Sequence, residues 1–156
     1  MLFRSLNAGF EIIERYPHSY RVGYYEQDSG PGLDASIYVP SADFKFKNDT
    51  QKHILVVSEF NAANYTLSYK IYGTPDGRKV EVGKPEILSR RAAPPTIYED
   101  DPGLAKGQRR QVESAVGGAT VQFTRKVMKD GQTIFNDVFK SNYKAWPAVI
   151  KVGTQE

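Results

Sequence analysis

His53-Ile54-Leu55-Val56-Val57-Ser58-Glu59-Phe60 and, after Asn61-Ala62-Ala63-Asn64, Tyr65-Thr66-Leu67-Ser68-Tyr69-Lys70-Ile71-Tyr72 decide the fold class. Both runs alternate with period two and are rich in β-branched and aromatic residues, which is the pattern of a strand with two different faces. The four residues between them have the length and residue types of a hairpin loop. Upstream, Ala35–Val39 and Asp43–Lys47 read as shorter strands, and Lys47-Asn48-Asp49-Thr50 carries turn residues. A helix is predicted only at Leu2–Ala8, with Leu2, Phe3 and Leu6 on one face and Gly9 as the stop. Starting at residue 1 without a capping residue, it looks cut rather than begun.

Arg90-Arg91-Ala92-Ala93-Pro94-Pro95 breaks the alternation, because adjacent prolines force extended backbone and remove two ladder donors. A domain boundary is expected there, dividing the chain into 1–91 and 92–156. Beyond it, Ile97-Tyr98 opens a second β segment and Asp100-Asp101-Pro102-Gly103 reads as a turn. Long strands are predicted at Gln108–Val116, at Ala119–Met128 after a Gly117-Gly118 turn, and at Gln132–Tyr143 after Lys129-Asp130-Gly131. Large apolar residues are scarce in this second part, which predicts a thin, elongated single-layer sheet, with little to fill a second layer. The fold class is therefore mainly β: an antiparallel N-terminal module with one short helix, then the elongated sheet.

Composition narrows the functions. In 156 residues, 40% hydrophobic and 25% charged residues mark a foldable chain. No apolar run approaches the roughly 18 residues of a bilayer helix, and the first residues turn polar too quickly for a signal peptide. With no cysteine, disulfides, thiolate metal sites and cysteine nucleophiles are excluded. A net charge of +3, from 21 basic and 18 acidic residues, lacks the concentrated excess of a nucleic-acid binder. No cofactor is implied.

The densest chemical cluster is Glu14-Arg15-Tyr16-Pro17-His18-Ser19-Tyr20-Arg21, followed by Asp34 after the glycine-rich Ser29-Gly30-Pro31-Gly32-Leu33. Imidazole, carboxylate, hydroxyl and guanidinium together suit acid–base or nucleophilic chemistry, so His18, Arg15 and Asp34 are the catalytic candidates. The plainer reading makes His18 and Ser19 caps of a turn at Pro17, with Glu14 or Asp34 pairing Arg15 or Arg21. His18 and His53 have no ligand-like spacing and Asp100-Asp101 lacks companions, so no metal site is expected. Eight of the ten tyrosines precede the boundary, with Tyr16, Tyr20, Tyr24 and Tyr25 close together. Such rings stack on sugars or pack on a half-buried sheet. In the second part the exposed aromatic candidates for glycan stacking are Tyr98, Tyr143 and Trp146. Gly107, Gly117, Gly118, Gly131 and Gly153 follow no phosphate-loop spacing and are expected to be structural turn and bulge residues.

Asn7-Ala8-Gly9-Phe10-Glu11-Ile12-Ile13-Glu14-Arg15-Tyr16-Pro17-His18-Ser19, Asp34-Ala35, Asp43–Thr50 and Ile71-Tyr72-Gly73 resemble the C-terminal half of the VanW family over residues 1 to about 73. Tyr98–Gly107, Gly117-Gly118, Asp130-Gly131 and Val149–Thr154 look like a G-five domain over 96–155. The resemblance implies a bacterial cell-envelope or extracellular protein. VanW-like proteins are associated with glycopeptide-resistance clusters, and G-five domains with N-acetylglucosamine-containing glycans and with spacing in adhesins. The family's glycine-rich segment with a Cys-Gln pair, upstream of the helix, has no counterpart here, so a truncated VanW module without its thiol is expected.

Three functions follow from these features. The first is a non-catalytic envelope module that binds peptidoglycan or N-acetylglucosamine-type glycan and spaces its neighbours. The alternative is an extracellular assembly or adhesion subunit that self-associates through sheet edges. The third is a cell-wall precursor enzyme built on the His18 cluster, against which the absent cysteine weighs.

Overall fold

The structure, a computed structural model, describes all residues except 1, 22, 24, 25 and 27–29. Met1, Tyr24, Tyr25 and Ser29, which figure in the sequence reading, lie outside the described residues.

The strands Gly118–Lys129 (β9) and Gln132–Tyr143 (β10) form the longest hairpin. Asp130 and Gly131 both have positive φ, 50° and 76°, the backbone of a two-residue primed turn that follows the strand twist. Pairing runs from Lys129↔Gln132 to Ala119↔Tyr143, with a bulge between Thr133 and Phe135. The other edge of β9 is shared by Lys79–Val82 (β5) and Glu86–Arg91 (β6). Between them the Gly83 N–H donates to the Thr124 carbonyl at 2.8 Å, and a Cβ there would lie 2.5 Å from Thr124 Oγ1. Neither β5 nor β6 was anticipated by the alternation pattern. Through them, strands from both sides of Pro94-Pro95 share one sheet.

Ala119, Val121, Phe123, Arg125 and Val127 alternate along β9 and are all buried. Their cover comes from the start of the chain. Helix Leu2–Asn7 (α1) sets Leu2 and Leu6 on Phe123, with Ile12, Leu33, Ala35, Phe44, Val82 and Phe139 around them. The second layer that the C-terminal part cannot supply is thus built by the N-terminal part. The buried face of α1 is Leu2, Ser5 and Leu6, whereas Phe3, expected on it, is exposed. Gly9, at φ 74°, ends the helix: its N–H bonds the Leu6 carbonyl and the Phe10 N–H bonds that of Ser5, a Schellman pattern. A Cβ on Gly9 would sit 2.7 Å from Arg78 Cδ, so space as well as dihedral requires glycine.

Glu11–Glu14 (β1) pairs with Lys45–Lys47 (β2), and the expected hairpin forms from Ile54–Asn61 (β3) and Thr66–Gly73 (β4). Ala35–Val39 is not a strand: it makes one isolated bridge, Tyr38↔Ala42, and Ile37, Tyr38 and Val39 remain exposed. The remaining sheet has the order Ile97–Ala105 (β7), Val149–Gln155 (β11), Arg109–Glu113 (β8), with β7 parallel and β8 antiparallel to β11. β8 is exposed throughout and β7 nearly so, as expected of a single layer.

Two predicted turns are corrected. Asp100-Asp101-Pro102-Gly103 lies within β7, where its turn chemistry survives as an irregularity: Asp101 Oδ1 accepts from Gly103 N–H at 2.9 Å, and the register shifts between Gly153 and Gln155. Gly117-Gly118 does not join adjacent strands, because β8 pairs with β11 while Gly118 starts β9 against Arg91.

Candidate functional site

Arg15, His18 and Asp34 meet, and β10 supplies two further members, Ser141 and Tyr143. The Asp34 carboxylate accepts from His18 N–H at 2.7 Å, and its Oδ2 lies 2.7 Å from His18 Nδ1. An ionised Asp34 can only accept, so the Nδ1 N–H donates to it. The Tyr143 hydroxyl donates to Asp34 Oδ1. Arg15 donates from Nε to the Asp34 carbonyl (2.8 Å), and from Nη2 to the Gly32 carbonyl (2.5 Å) and Ser141 Oγ (2.9 Å). Its approach to Asp34 Oδ1 is longer, 3.4 Å, and its guanidinium lies over the Phe123 ring. The Arg15 and Asp34 side chains are 5% and 10% exposed.

The electrostatics follow from this closure. Burial pushes the Arg15 guanidinium down despite the nearby Asp34 charge. Burial alone would raise the Asp34 carboxyl, but donation from His18 backbone, Tyr143 hydroxyl and His18 ring, with the Arg15 charge, holds it below its usual range. Tyr143 is pushed well above the ordinary phenol range, first by burial and then by its bond to Asp34. The group is a buried, internally hydrogen-bonded knot joining the N-terminal segment to β10, reinforced by the Lys144 N–H to Ser19 carbonyl bond. Glu14, expected to pair an arginine, instead takes Lys45, and Arg21 pairs Glu26.

Tyr143 is corrected as a stacking surface: at 3% exposure its ring belongs to the core with Ala119 and Val121. Tyr98 and Trp146 are 58% and 40% exposed. Arg109 lies over the Tyr98 ring, and Trp146 donates from Nε1 to Glu113 and lies 6.0 Å from Tyr20 between ring centroids. Trp146 is not in an unpaired segment, as it bridges Val116 through both backbone hydrogen bonds. The alternation of β10 was the signal that placed Ser141 and Tyr143 on one face, and it was not joined to the Arg15–Asp34 cluster.

The five glycines differ. Gly107 and Gly131 have φ of 84° and 76° in open space. A Cβ on Gly153 would meet the Ala105 carbonyl oxygen at 2.0 Å, one on Gly118 would meet Tyr143 O and Ala145 N at 2.8 Å, and one on Gly117 the Arg91 carbonyl at 3.1 Å. Asp101 is engaged by Gly103 and Arg110. Among the described residues, no three His, Asp or Glu side chains are grouped to hold a metal ion, and no helix is long and apolar enough to cross a membrane.

Residues 1–72 match the family model for VanW like protein, and residues 84–155 match that for the G5 domain. Similar solved structures include "IgA1 Protease G5 domain structure", 17% identical, covering 51% of this chain and 94% of that one, with a TM-score of 0.32. Another is "Crystal structure of HP0197-G5", 16% identical, covering 48% and 99%, with a TM-score of 0.24. No curated protein matches the chain. The chain carries a VanW-like domain followed by a G5 domain, an arrangement typical of cell-envelope proteins.

Proposed function

From a chain that carries a VanW-like domain followed by a G5 domain, we propose a non-catalytic, extracellular envelope module that binds peptidoglycan or N-acetylglucosamine-type glycan and spaces neighbouring domains. The observation that carries this reading is the pair of exposed rings, Tyr98 and Trp146, beside a sheet uncovered on both faces. Flat aromatic faces with polar edges suit pyranose rings, and an open sheet gives a long polymer access. The boundary after Arg91 is kept as a division of sequence modules. The His18 cluster is given a structural role, since its carboxylate and guanidinium are spent on internal hydrogen bonds.

Retention on insoluble peptidoglycan tests the reading. The wild-type chain and His18→Ala, if folded, should be retained, while Tyr98→Ala and Trp146→Ala should be depleted with unchanged circular dichroism. Absence of wild-type retention would sink the proposal, and unfolding of Trp146→Ala would withdraw Trp146 as a stacking residue.

Self-association is the second reading, supported by the β3–β4 hairpin. Phe60 and Leu67 pair across it on one face and are 65% and 55% exposed, and β7 and β8 are both sheet edges. Light scattering across a concentration series would separate a monomeric binder from an assembling subunit.

A further inference from the structure

Where the two modules meet, a cleft of about 490 Å³ opens between Arg21, Gly23 and Glu26, the end of β6 and residues Ala115 to Gly118. That is within the range of small-ligand sites. Three arginines line it. Arg21 is neutralised by Glu26, to which it donates from Nε at 2.7 Å and from Nη2 at 2.5 Å. Arg91 donates from Nη2 to the Tyr143 carbonyl at 2.8 Å, a neutral partner, and has no ion pair among the described residues. Arg90 has no ion pair among the described residues and is exposed. Among the described residues the cleft therefore carries two positive charges without a counter-charge, on adjacent residues. A short anion matches two charges better than a polyanion does.

Two aromatic residues adjoin the residues that line the cleft. Tyr20 precedes Arg21, Trp146 is bridged to the cleft residue Val116, and the two rings lie 6.0 Å apart at 33°, the residues 45% and 40% exposed. Gly117 and Gly118 leave bare backbone in the lining; packing against Arg91, Tyr143 and Ala145 excludes a side chain at Gly118. Guanidinium forks recognise planar carboxylates, and aromatic faces suit a sugar ring.

We propose that this cleft is a binding site for a saccharide that bears a carboxylate, held by Arg90 and Arg91 with its ring against Trp146 and Tyr20. The site deepens the glycan-binding reading and rests on it. It requires both modules, because Tyr20 and Arg21 come from one and Val116–Trp146 from the other. The carboxylate's source is either the sugar's own acid or the end of an attached peptide.

Titration of the full chain, followed by the Trp146 indole N–H signal in NMR, tests the site. The probes are N-acetylmuramic acid, its carboxamide, N-acetylmuramyl dipeptide and the neutral trimer of N-acetylglucosamine. At least one of the acid-bearing probes should bind, and which one does identifies the source. The carboxamide and the neutral trimer should bind about ten-fold more weakly or worse, and Arg90→Glu should lose about the same factor against the acid. Arg90 is exposed and has no ion pair among the described residues, so Arg90→Glu should keep the wild-type melting temperature. Equal binding of acid and carboxamide, or binding unaffected by Arg90→Glu, would overturn the site. Peptidoglycan retention that is indifferent to Arg90 would overturn it while leaving the broader glycan reading standing, whereas no retention at all would end both.

Discussion

The Tyr143 hydroxyl donates its proton to Asp34 Oδ1 across 109 residues of sequence, tying the last turn of β10 to the loop that precedes β2. The direction of the bond is settled by both partners, as burial and Asp34 push the phenol up while the surrounding donors hold the carboxyl down. Arg15 completes the knot from β1's end by reaching Ser141 on the same strand. The latch adds polar ties to the apolar packing of Leu2, Leu6, Leu33 and Phe44 by which the N-terminal part covers β9.

Removing the carboxylate should therefore cost more than removing the phenol. Asp34→Ala leaves the buried Arg15 cation without its counter-charge, a loss of about 3–5 kcal/mol. Tyr143→Phe deletes one donor to a charged acceptor and should cost about 1.5–3 kcal/mol. Urea denaturation of the two variants checks the order; equal effects would show that Asp34 acts only through Tyr143.

Acid should open the same knot. A carboxyl whose folded pKa is lowered contributes stability that is present above its unfolded value, here near 3.8, and is lost as pH falls through the lower folded value. Wild-type stability should then fall more steeply than that of Asp34→Asn as pH drops below about 4. Parallel melting curves for the two over that window would remove Asp34 from the acid response.

The sequence reading found β3, β4, β9 and β10, because alternation is a local signal, and it named Arg15, His18 and Asp34 as candidates without being able to place them together. It missed β5 and β6, whose only repeated partner is β9, and the parallel β7–β11 pair, whose partners stand about 50 residues apart. Ala35–Val39 had strand composition but pairs with no strand among the described residues: Ala35 packs on the core while Ile37, Tyr38 and Val39 stay exposed, showing that alternation predicts a face only when something covers it. Arg125 was legible in principle: period two places it with Phe123 and Val127 rather than with the polar face.

That arginine yields a third prediction. The Arg125 side chain is fully buried, donating to Asp137 Oδ2 from Nε at 2.8 Å and Nη2 at 2.6 Å, and from Nη1 to the Phe10 carbonyl at 2.7 Å. Phe135 and Phe139 rings flank it. Arg125→Ala strands a carboxylate, orphans a buried carbonyl and opens a cavity, and should cost about 3–5 kcal/mol. Arg125→Met with Asp137→Leu removes both charges and should recover most of that loss. Chemical denaturation of the single and double variants checks this, and a double variant as unstable as the single would assign the whole effect to the Phe10 carbonyl.

Gly153 separates a steric demand from a conformational one. Its φ is not in the left-handed region, yet a Cβ would stand 2.0 Å from the Ala105 carbonyl oxygen, far inside contact distance with backbone that cannot rotate away. Gly107 and Gly131 are the converse, left-handed at 84° and 76° with nothing within 4 Å. Alanine at either of those two should cost about 1–2 kcal/mol, the price of the left-handed region. Gly153→Ala must push β7 from β11 where Asp101 pairs with Gly153. Hydrogen exchange at the β11 amides should rise strongly in Gly153→Ala and little in Gly107→Ala or Gly131→Ala. If all three variants lost only a uniform, small stability, the close β7–β11 approach at Gly153 would not be what holds that sheet in register.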